Sequence, residues 1–600
     1  MKSKRLGRDG RSKVSGPKDA AGSHMALPEK SPAAGLRRSS ISGRWYPAIL
    51  AAAFLGCAGV LVAGALPMIP QGDAPIFNSI GKQLPPDAAP LEFQTYRFMR
   101  DEPRSLDVSV NLYVGQWNEF LFETLVAKDE NGDLIPAAAD RWEISPDGKT
   151  WTFFLRKTGR WSDGRPVTAH DFVYTFRRSL SYETANPYAA FYSDIVGAKS
   201  YSQTSNADPA MLGVRAIDDH TLTVETTHPA PYLGLILSVP TSMPVPRWQV
   251  EKYGPRWTEE GNCVSNSSYR LTEWKHGSHM NFELNPHYDG PIKGYVEKIN
   301  RVFRHPSTAN LLPYENDEVG FAEVQANELI RVQRDPGLKA ELISNPTDGT
   351  WYIFFNTRKP PFSDARVRRA VARAIDRETI CRVVLHGAAV PAYSMLPVTF
   401  DAHGDYREFQ HFDPAKAREL LAEAGYPGGR GFPRMEMWLR QPRPDIRMVA
   451  EVIQGMLNEH LGIDITFRSA DYPVFTNYMF NWNIDLGLVP FFGDYRDPKN
   501  MLDMIWRPGT RGRSRHDFEH TEFEALLDAA DQEIDPDKRT GIFRRAERIL
   551  VEESGAAFVF HPMANSLFKP WLRGLKTNRF GGKTVIFTDL YIGEDFSGAR

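Results

Sequence analysis

The apolar positions of this 600-residue chain change character along its length: one unbroken apolar run, then alternating stretches, then helical periodicities. The run comes first. From Trp45 to Pro70 there is no charged residue, and its core, Ala48 to Leu66, approaches the roughly 20 residues needed to cross a bilayer. Arg37, Arg38 and Arg44 precede it and Asp73 lies just beyond it, so the positive-inside rule leaves the N-terminus in the cytoplasm and exports the chain beyond Ile69. Three fates stay open: cleavage at Ala63-Gly64-Ala65, lipidation at Cys57 after the poor lipobox Leu55-Gly56, or retention as an anchor. Translation starting at Met25 is an alternative, because the leader is long. Gly22-Ser23-His24-Met25 reads like a cloning scar, yet the same four residues recur at 277–280.

Residues 1–44 are polar and basic, a composition that predicts disorder, and 71–89 form a Pro-rich tether. Beyond them, Phe122 to Ala127 reads as a strand ending in the turn Asp129-Glu130-Asn131-Gly132. Trp151, Phe153 and Leu155 alternate as one strand face after the hairpin turn Asp147-Gly148, and Asp218-Asp219 turns the chain before Leu222 and Val224. Thr168 and Asp171 form a capping box for a helix carrying Phe172, Val173 and Phe176. Helical spacing then takes over. Ser363 is expected to cap a helix with Val367, Ala370, Val371 and Ala374 on one face, and Asp413-Pro414 starts another that Gly425 ends. A third runs from Asp445 to His460, is closed by Gly462 and leads into a strand from Ile463 to Phe467. This alternation predicts an α/β (mixed α+β) protein with mixed sheets.

Composition adds exclusions. Lys+Arg (72) and Asp+Glu (74) nearly cancel with no basic stripe, which argues against a nucleic-acid partner. Cys57, Cys263 and Cys381 are too few and too scattered for a zinc ribbon or a disulfide framework, and Cys263 and Cys381 are expected not to pair. No nucleophile elbow, phosphate loop or metalloprotease motif is present, so no catalytic residue, metal or cofactor is assigned. His276, His279, His516 and His520 are expected to be solvated, because no carboxylate or thiolate set accompanies them in sequence.

One stretch carries family information. Residues 135–157, with Ile135-Pro136, Trp142, Asp147-Gly148, Trp151 and Leu155-Arg156-Lys157, run into Trp161-Ser162-Asp163-Gly164, Pro166 and Thr168 to Val173. In the same order come Asn186-Pro187-Tyr188, Leu284-Asn285-Pro286-His287-Tyr288, Pro361-Phe362-Ser363-Asp364, Gly493-Asp494-Tyr495-Arg496-Asp497-Pro498 and Lys569-Pro570-Trp571. This series, over about residues 90–600, resembles the peptide- and nickel-binding solute-binding proteins of ABC importers (family 5), most closely the oligopeptide-binding branch.

The resemblance implies a two-lobed periplasmic binding protein fold of three domains about a hinge: 90–135, 253–348 and 576–600 as domain I, 136–252 as domain II and 349–575 as domain III. It implies a monomer that closes around a short extended peptide and presents it to permease subunits; the alternatives are the same fold binding an oligosaccharide or a metal chelate, or a membrane-anchored sensor ectodomain without a transport role. Asp494 then corresponds to the carboxylate that pairs with the peptide ammonium, with Phe491, Phe492 and Gly493 beside it. Glu123, Thr124 and Leu125 correspond to a strand-pairing segment, Tyr188 to an aromatic near the peptide's first residue, and Trp351 and Tyr352 to an aromatic run. For the aromatics core packing is the alternative, and Asp494 could instead cap the turn before Asp497-Pro498. The chain also departs from the branch. Positions of cationic side chains that hold peptide C-termini fall on Leu385, Ile446 and Leu488, with His386 and Arg447 one residue away. A cysteine pair of the branch falls on Gly349 and Phe492, and Asn266-Ser267-Ser268-Tyr269 replaces a glycine-containing turn.

Overall fold

The computed structural model describes residues 75–110, 120–304, 311–440, 444–508, 516–579 and 582–596. The apolar segment 45–70, its flank 1–44 and the first residues of the tether therefore lie outside the described residues. Among those described, no helix is long and apolar enough to cross a membrane.

Two four-stranded sheets come first. One orders Thr95–Arg100, Lys298–Phe303, His279–Leu284 and Tyr269–Lys275; the other orders Ala139–Ile144, Thr150–Leu155, Thr221–Glu225 and Val214–Asp218. Strand Thr150–Leu155 buries Trp151, Phe153 and Leu155 and turns its alternate residues outward, as the period-two pattern requires. Helix Ala169–Ser179 starts with the expected capping box, the Thr168 amide donating to Asp171 Oδ2 at 2.8 Å. One continuous apolar core joins both sheets, from Tyr96 and Phe98 through Trp151 to Phe282 and Ile299, making a single body.

The second body is built on the longest sheet, ordered Phe321–Glu323, Ala556–Phe568, Gly349–Phe355, Leu486–Phe492, Met435–Arg440 and Ile465–Ala470. Strands Met435–Arg440, Ile465–Ala470 and Leu486–Phe492 are parallel neighbours, and two apolar clusters sandwich the sheet. Helix Pro414–Glu423 begins at Asp413, which accepts from the Lys416 amide at 3.0 Å. Gly425 ends it with φ of 96°, a left-handed conformation that suits glycine.

Three local expectations need correction. The strand expected at Phe122 to Ala127 begins only at Val126, because the carbonyls of Thr124 and Leu125 accept from Ala138 and Ala139 instead of extending a ladder. Helix Ala365–Arg373 is capped by Asp364, not Ser363: its carboxylate takes the Arg366 amide at 2.8 Å. The strand after Gly462 runs Ile465–Ala470.

Within this sheet, Ala556–Phe568 pairs Gly349–Phe355 with its first half and Leu342–Pro346 with its second, so it changes partner near Thr347-Asp348 and Pro562. There Thr347 Oγ1 donates to Pro562 O at 2.7 Å, and His561 Nδ1 meets Thr350 Oγ1 at 2.9 Å. Burial, then the nearby His403, pushes the His561 imidazole down to about 3. A depressed folded value means the contribution is whole above pH 6.5 and is lost as pH falls toward 3, by about 1.4 kcal/mol per pH unit. His561→Gln is expected to flatten the acid limb of stability between about pH 6 and 4, measured by urea unfolding; an unchanged limb refutes it. Cys263 and Cys381 are both free and pack on different cores.

Candidate functional site

Strand Leu486–Phe492 ends at the carboxyl edge of the parallel strands, where open α/β sheets gather their ligand-binding loops. The next turn carries Asp494. Gly493 N–H donates to Asp348 O at 2.8 Å, and Asp494 N–H donates to Asn500 Oδ1 at 2.9 Å, so the backbone on both sides of the carboxylate is pinned. Helix Pro498–Trp506 is capped by Asp497, which accepts from the Lys499 amide at 2.9 Å. Capping therefore belongs to Asp497, and Asp494 is exposed.

Register brings four more of the expected residues to this edge. Gly349 faces Phe492, Thr350 faces Phe491, Trp351 faces Pro490 and Tyr352 faces Val489. Their environments differ. Phe492 is 47% exposed, whereas Phe491 is buried. Tyr352 is fully buried, its hydroxyl 2.9 Å from His516 Nε2, and Trp351 stacks on Phe560 at 5.7 Å. A Cβ on Gly349 would lie 2.3 Å from the Phe492 ring, so the ring covers the bare glycine across the strand pair. Packing thus occupies the cross-strand position where the resemblance places a disulfide.

Tyr188 belongs to the other body yet approaches the same turn. Its ring lies 5.2 Å from Phe191, which meets Tyr495 edge-on at 5.9 Å. Arg496 completes the crossing, its Nη1 donating to Asn131 O at 3.1 Å and its Nε to Asp348 Oδ1 at 3.2 Å.

Glu123, Thr124 and Leu125 lie directly before strand Val126–Lys128, and side chains from distant segments hold the first of them. The Glu123 amide donates to Asn266 Oδ1 at 3.0 Å and its carbonyl accepts from Asn266 Nδ2 at 3.1 Å. Asn266 thereby does in side-chain atoms what a tight turn would do in backbone. The Glu123 carboxylate, 4% exposed, pairs with Arg156 and accepts from the Tyr288 hydroxyl at 2.6 Å. Burial pushes Glu123 above the ordinary range, against the pull of Arg156 and Tyr288.

Leu385, Ile446 and Leu488 are all buried among the apolar side chains of the large-sheet body. Arg447 pairs with Glu451 at 2.7 Å on the surface of its helix. The histidines meet the expectation only in part, since His276 is exposed whereas His516 is buried. His276 sits between Glu102 at 2.8 Å and Glu259 at 3.0 Å, carboxylates distant in sequence, and no group of ligands fit for a metal ion forms among the described residues. His516 is buried against Phe354, and His520 caps a helix by accepting from the Phe523 amide at 3.2 Å.

Sequence reasoning missed a set of charges beside the turn. Lys499, 7% exposed, donates to Asp503 at 2.9 Å and Asp531 at 2.5 Å and lies 3.9 Å from Asp194 of the other body. Nothing in the local pattern marks Lys499, whose partners lie 4 and 32 residues away and across the cleft.

The family of bacterial extracellular solute-binding proteins, family 5, matches residues 133–513. The chain is 30% identical to the periplasmic murein peptide-binding protein MppA of Escherichia coli over 492 residues, 80% of this chain and 90% of that one. It is 29% identical to the E. coli periplasmic oligopeptide-binding protein OppA, over 76% of this chain and 84% of the relative. Among solved structures, E. coli MppA aligns with a TM-score of 0.72 at 28% identity, covering 83% of this chain and 98% of that one. Haemophilus influenzae OppA in complex with RPPGFSPFR aligns at 0.70 and 26% identity, over 83% and 99%. These neighbours share the two-lobed fold.

Proposed function

The chain belongs to the bacterial extracellular solute-binding proteins of family 5, and from that membership we propose that it captures short peptides outside the cytoplasm for an ABC importer. It acts as a monomer whose lobes close on an extended ligand and present it to the permease subunits. It binds and delivers, and performs no chemistry of its own. The observation that carries this reading is the placement of Asp494: an exposed carboxylate at the carboxyl end of Leu486–Phe492, on a pinned turn that faces the second lobe through Tyr495 and Arg496. A peptide ammonium is the cation that such a carboxylate would hold, and main-chain pairing along the cleft would bind the rest without reading side chains. Phe492, exposed beside Asp494, gives the first peptide residues an apolar floor, and Tyr188 connects to the same turn through Phe191 and Tyr495. Relatives named for oligopeptide and murein peptide binding support the reading.

Asp494→Asn keeps the turn and deletes the charge. Calorimetric titration with free and N-acetylated tripeptides is expected to show at least a roughly tenfold loss of affinity from either change, about 1.4 kcal/mol. Thermal stability of the empty protein should stay within a degree or two. If both changes leave affinity intact, ammonium capture is wrong and a non-peptide solute becomes the better reading. The location rests on the leader: segment 45–70 carries the body across the membrane, then tethers or releases it. A reporter active only after export, fused at Arg600, should be active; an inactive fusion in a well-expressed strain overturns the location and with it the transport role.

A further inference from the structure

The two lobes also meet through a pair of charged side chains, Lys499 and Asp194 at 3.9 Å. Asp194, on the lobe of the four-stranded sheets, accepts from the Tyr232 hydroxyl at 2.8 Å and lies 3.4 Å from His228 Nε2. Across the junction, Lys499 reaches Asp194 from the first turn of Pro498–Trp506, five residues beyond Asp494. Its ammonium is already satisfied within its own lobe by Asp503 and Asp531, and Arg507 binds the same Asp503. Arg539 backs the arrangement: it grips Asp497 with two hydrogen bonds, 2.6 and 3.0 Å, and lays its guanidinium 5.1 Å from the Tyr232 ring.

We infer that Asp194 and Lys499 form a clasp that sets how readily the lobes close, and so sets solute affinity from outside the solute's own contacts. Three features support it. First, each half is complete within its own lobe, Asp194 by Tyr232 and His228 and Lys499 by Asp503 and Asp531, so opening strands neither charge. Second, a buried pair gains little net energy, because desolvation offsets attraction. A contact near balance suits a motion that must reverse in every cycle, where a strongly favourable one would trap the closed state. Third, the clasp and the turn bearing Asp494 share one rigid connection: Asn500, on the same helix turn as Lys499, holds the Asp494 amide. Closing the clasp therefore carries Asp494 toward the second lobe as a unit. Burial alone would raise Asp194, but His228, Lys499 and Tyr232 together hold it well below the ordinary carboxylate range, so it stays charged at working pH.

The inference rests on the two-lobed reading and is independent of which solute is bound. Its test uses the full exported body without ligand, labelled with a donor and an acceptor dye on exposed positions of the two lobes. Asp194→Asn removes the charge and keeps the shape; Tyr232→Phe removes only the hydroxyl that orients Asp194. The expected result is a lower closed fraction in both, larger for Asp194→Asn, with thermal unfolding little changed. When binding needs the closed form, apparent affinity falls by the factor lost from the closed fraction. A five-fold drop in closure should therefore appear as a five-fold weaker Kd for a tripeptide. Unchanged closure in both variants overturns the clasp, as does altered closure with no matching change in affinity. Should Asp194→Asn fail to fold, Tyr232→Phe decides alone. If no peptide binds the wild type while the variants still shift closure, the solute assignment fails and the clasp stands.

Discussion

Arg156→Leu is expected to lower the folding stability of the protein by about 3–5 kcal/mol, the cost of leaving a buried charge without its partner. The side chain it strands is Glu123, left among the described residues with the Tyr288 hydroxyl once the guanidinium is gone. Arg156 Nε also donates to Ala137 O at 2.8 Å, so the loss reaches the segment that Thr124 and Leu125 pair with. The double variant Glu123→Leu/Arg156→Leu should recover most of the loss, since two apolar groups of similar volume remove both desolvation costs. Urea unfolding of the three proteins measures this. A double variant no more stable than Arg156→Leu alone would mean that packing at the site, and not the unpaired charge, sets the cost.

Glu547→Gln is expected to stabilise the protein at neutral and alkaline pH by about 3–5 kcal/mol and to flatten its pH profile. Glu547 is fully buried in helix Pro536–Glu552, where Oε1 accepts from the Leu396 amide at 2.7 Å and Oε2 has no partner among the described residues. Burial pushes the carboxyl up to about 8, against the opposing pull of backbone amides. A raised folded value places the full contribution below the unfolded value near 4.5, with progressive loss as pH climbs to 8. In that window the unfolded state releases a proton that the folded state keeps. Glutamine cannot ionise and retains the acceptor, so its variant should lack the decline. A wild-type profile that is flat between about pH 5 and 8 would refute the protonated carboxyl.

Local order was legible in the sequence because it depends on neighbours within a turn or a strand. The alternation of Trp151, Phe153 and Leu155, the capping box at Thr168 and Asp171, and the start of a helix at Asp413-Pro414 all reappear in the fold. Collinear motifs also pointed to the family and its two-lobed architecture, since hairpins, caps and turns in a fixed order constrain which sheets can form. Within the site, sequence placed Asp494 at a turn but left open whether it caps the helix; only the Asp497 contact to Lys499 N–H assigns the capping.

What tertiary structure alone decided are the pairings between distant segments. Glu123 meets Arg156 over 33 residues and Tyr288 over 165, and Lys499 meets Asp194 across two lobes. Tyr352 and Trp351, adjacent in sequence, enter opposite cores because successive strand residues point to opposite faces of a sheet covered on both sides. Periodicity shows that a side chain is buried but not against what. A charged residue carries no period at all, and its role depends on which carboxylates the finished fold brings within reach.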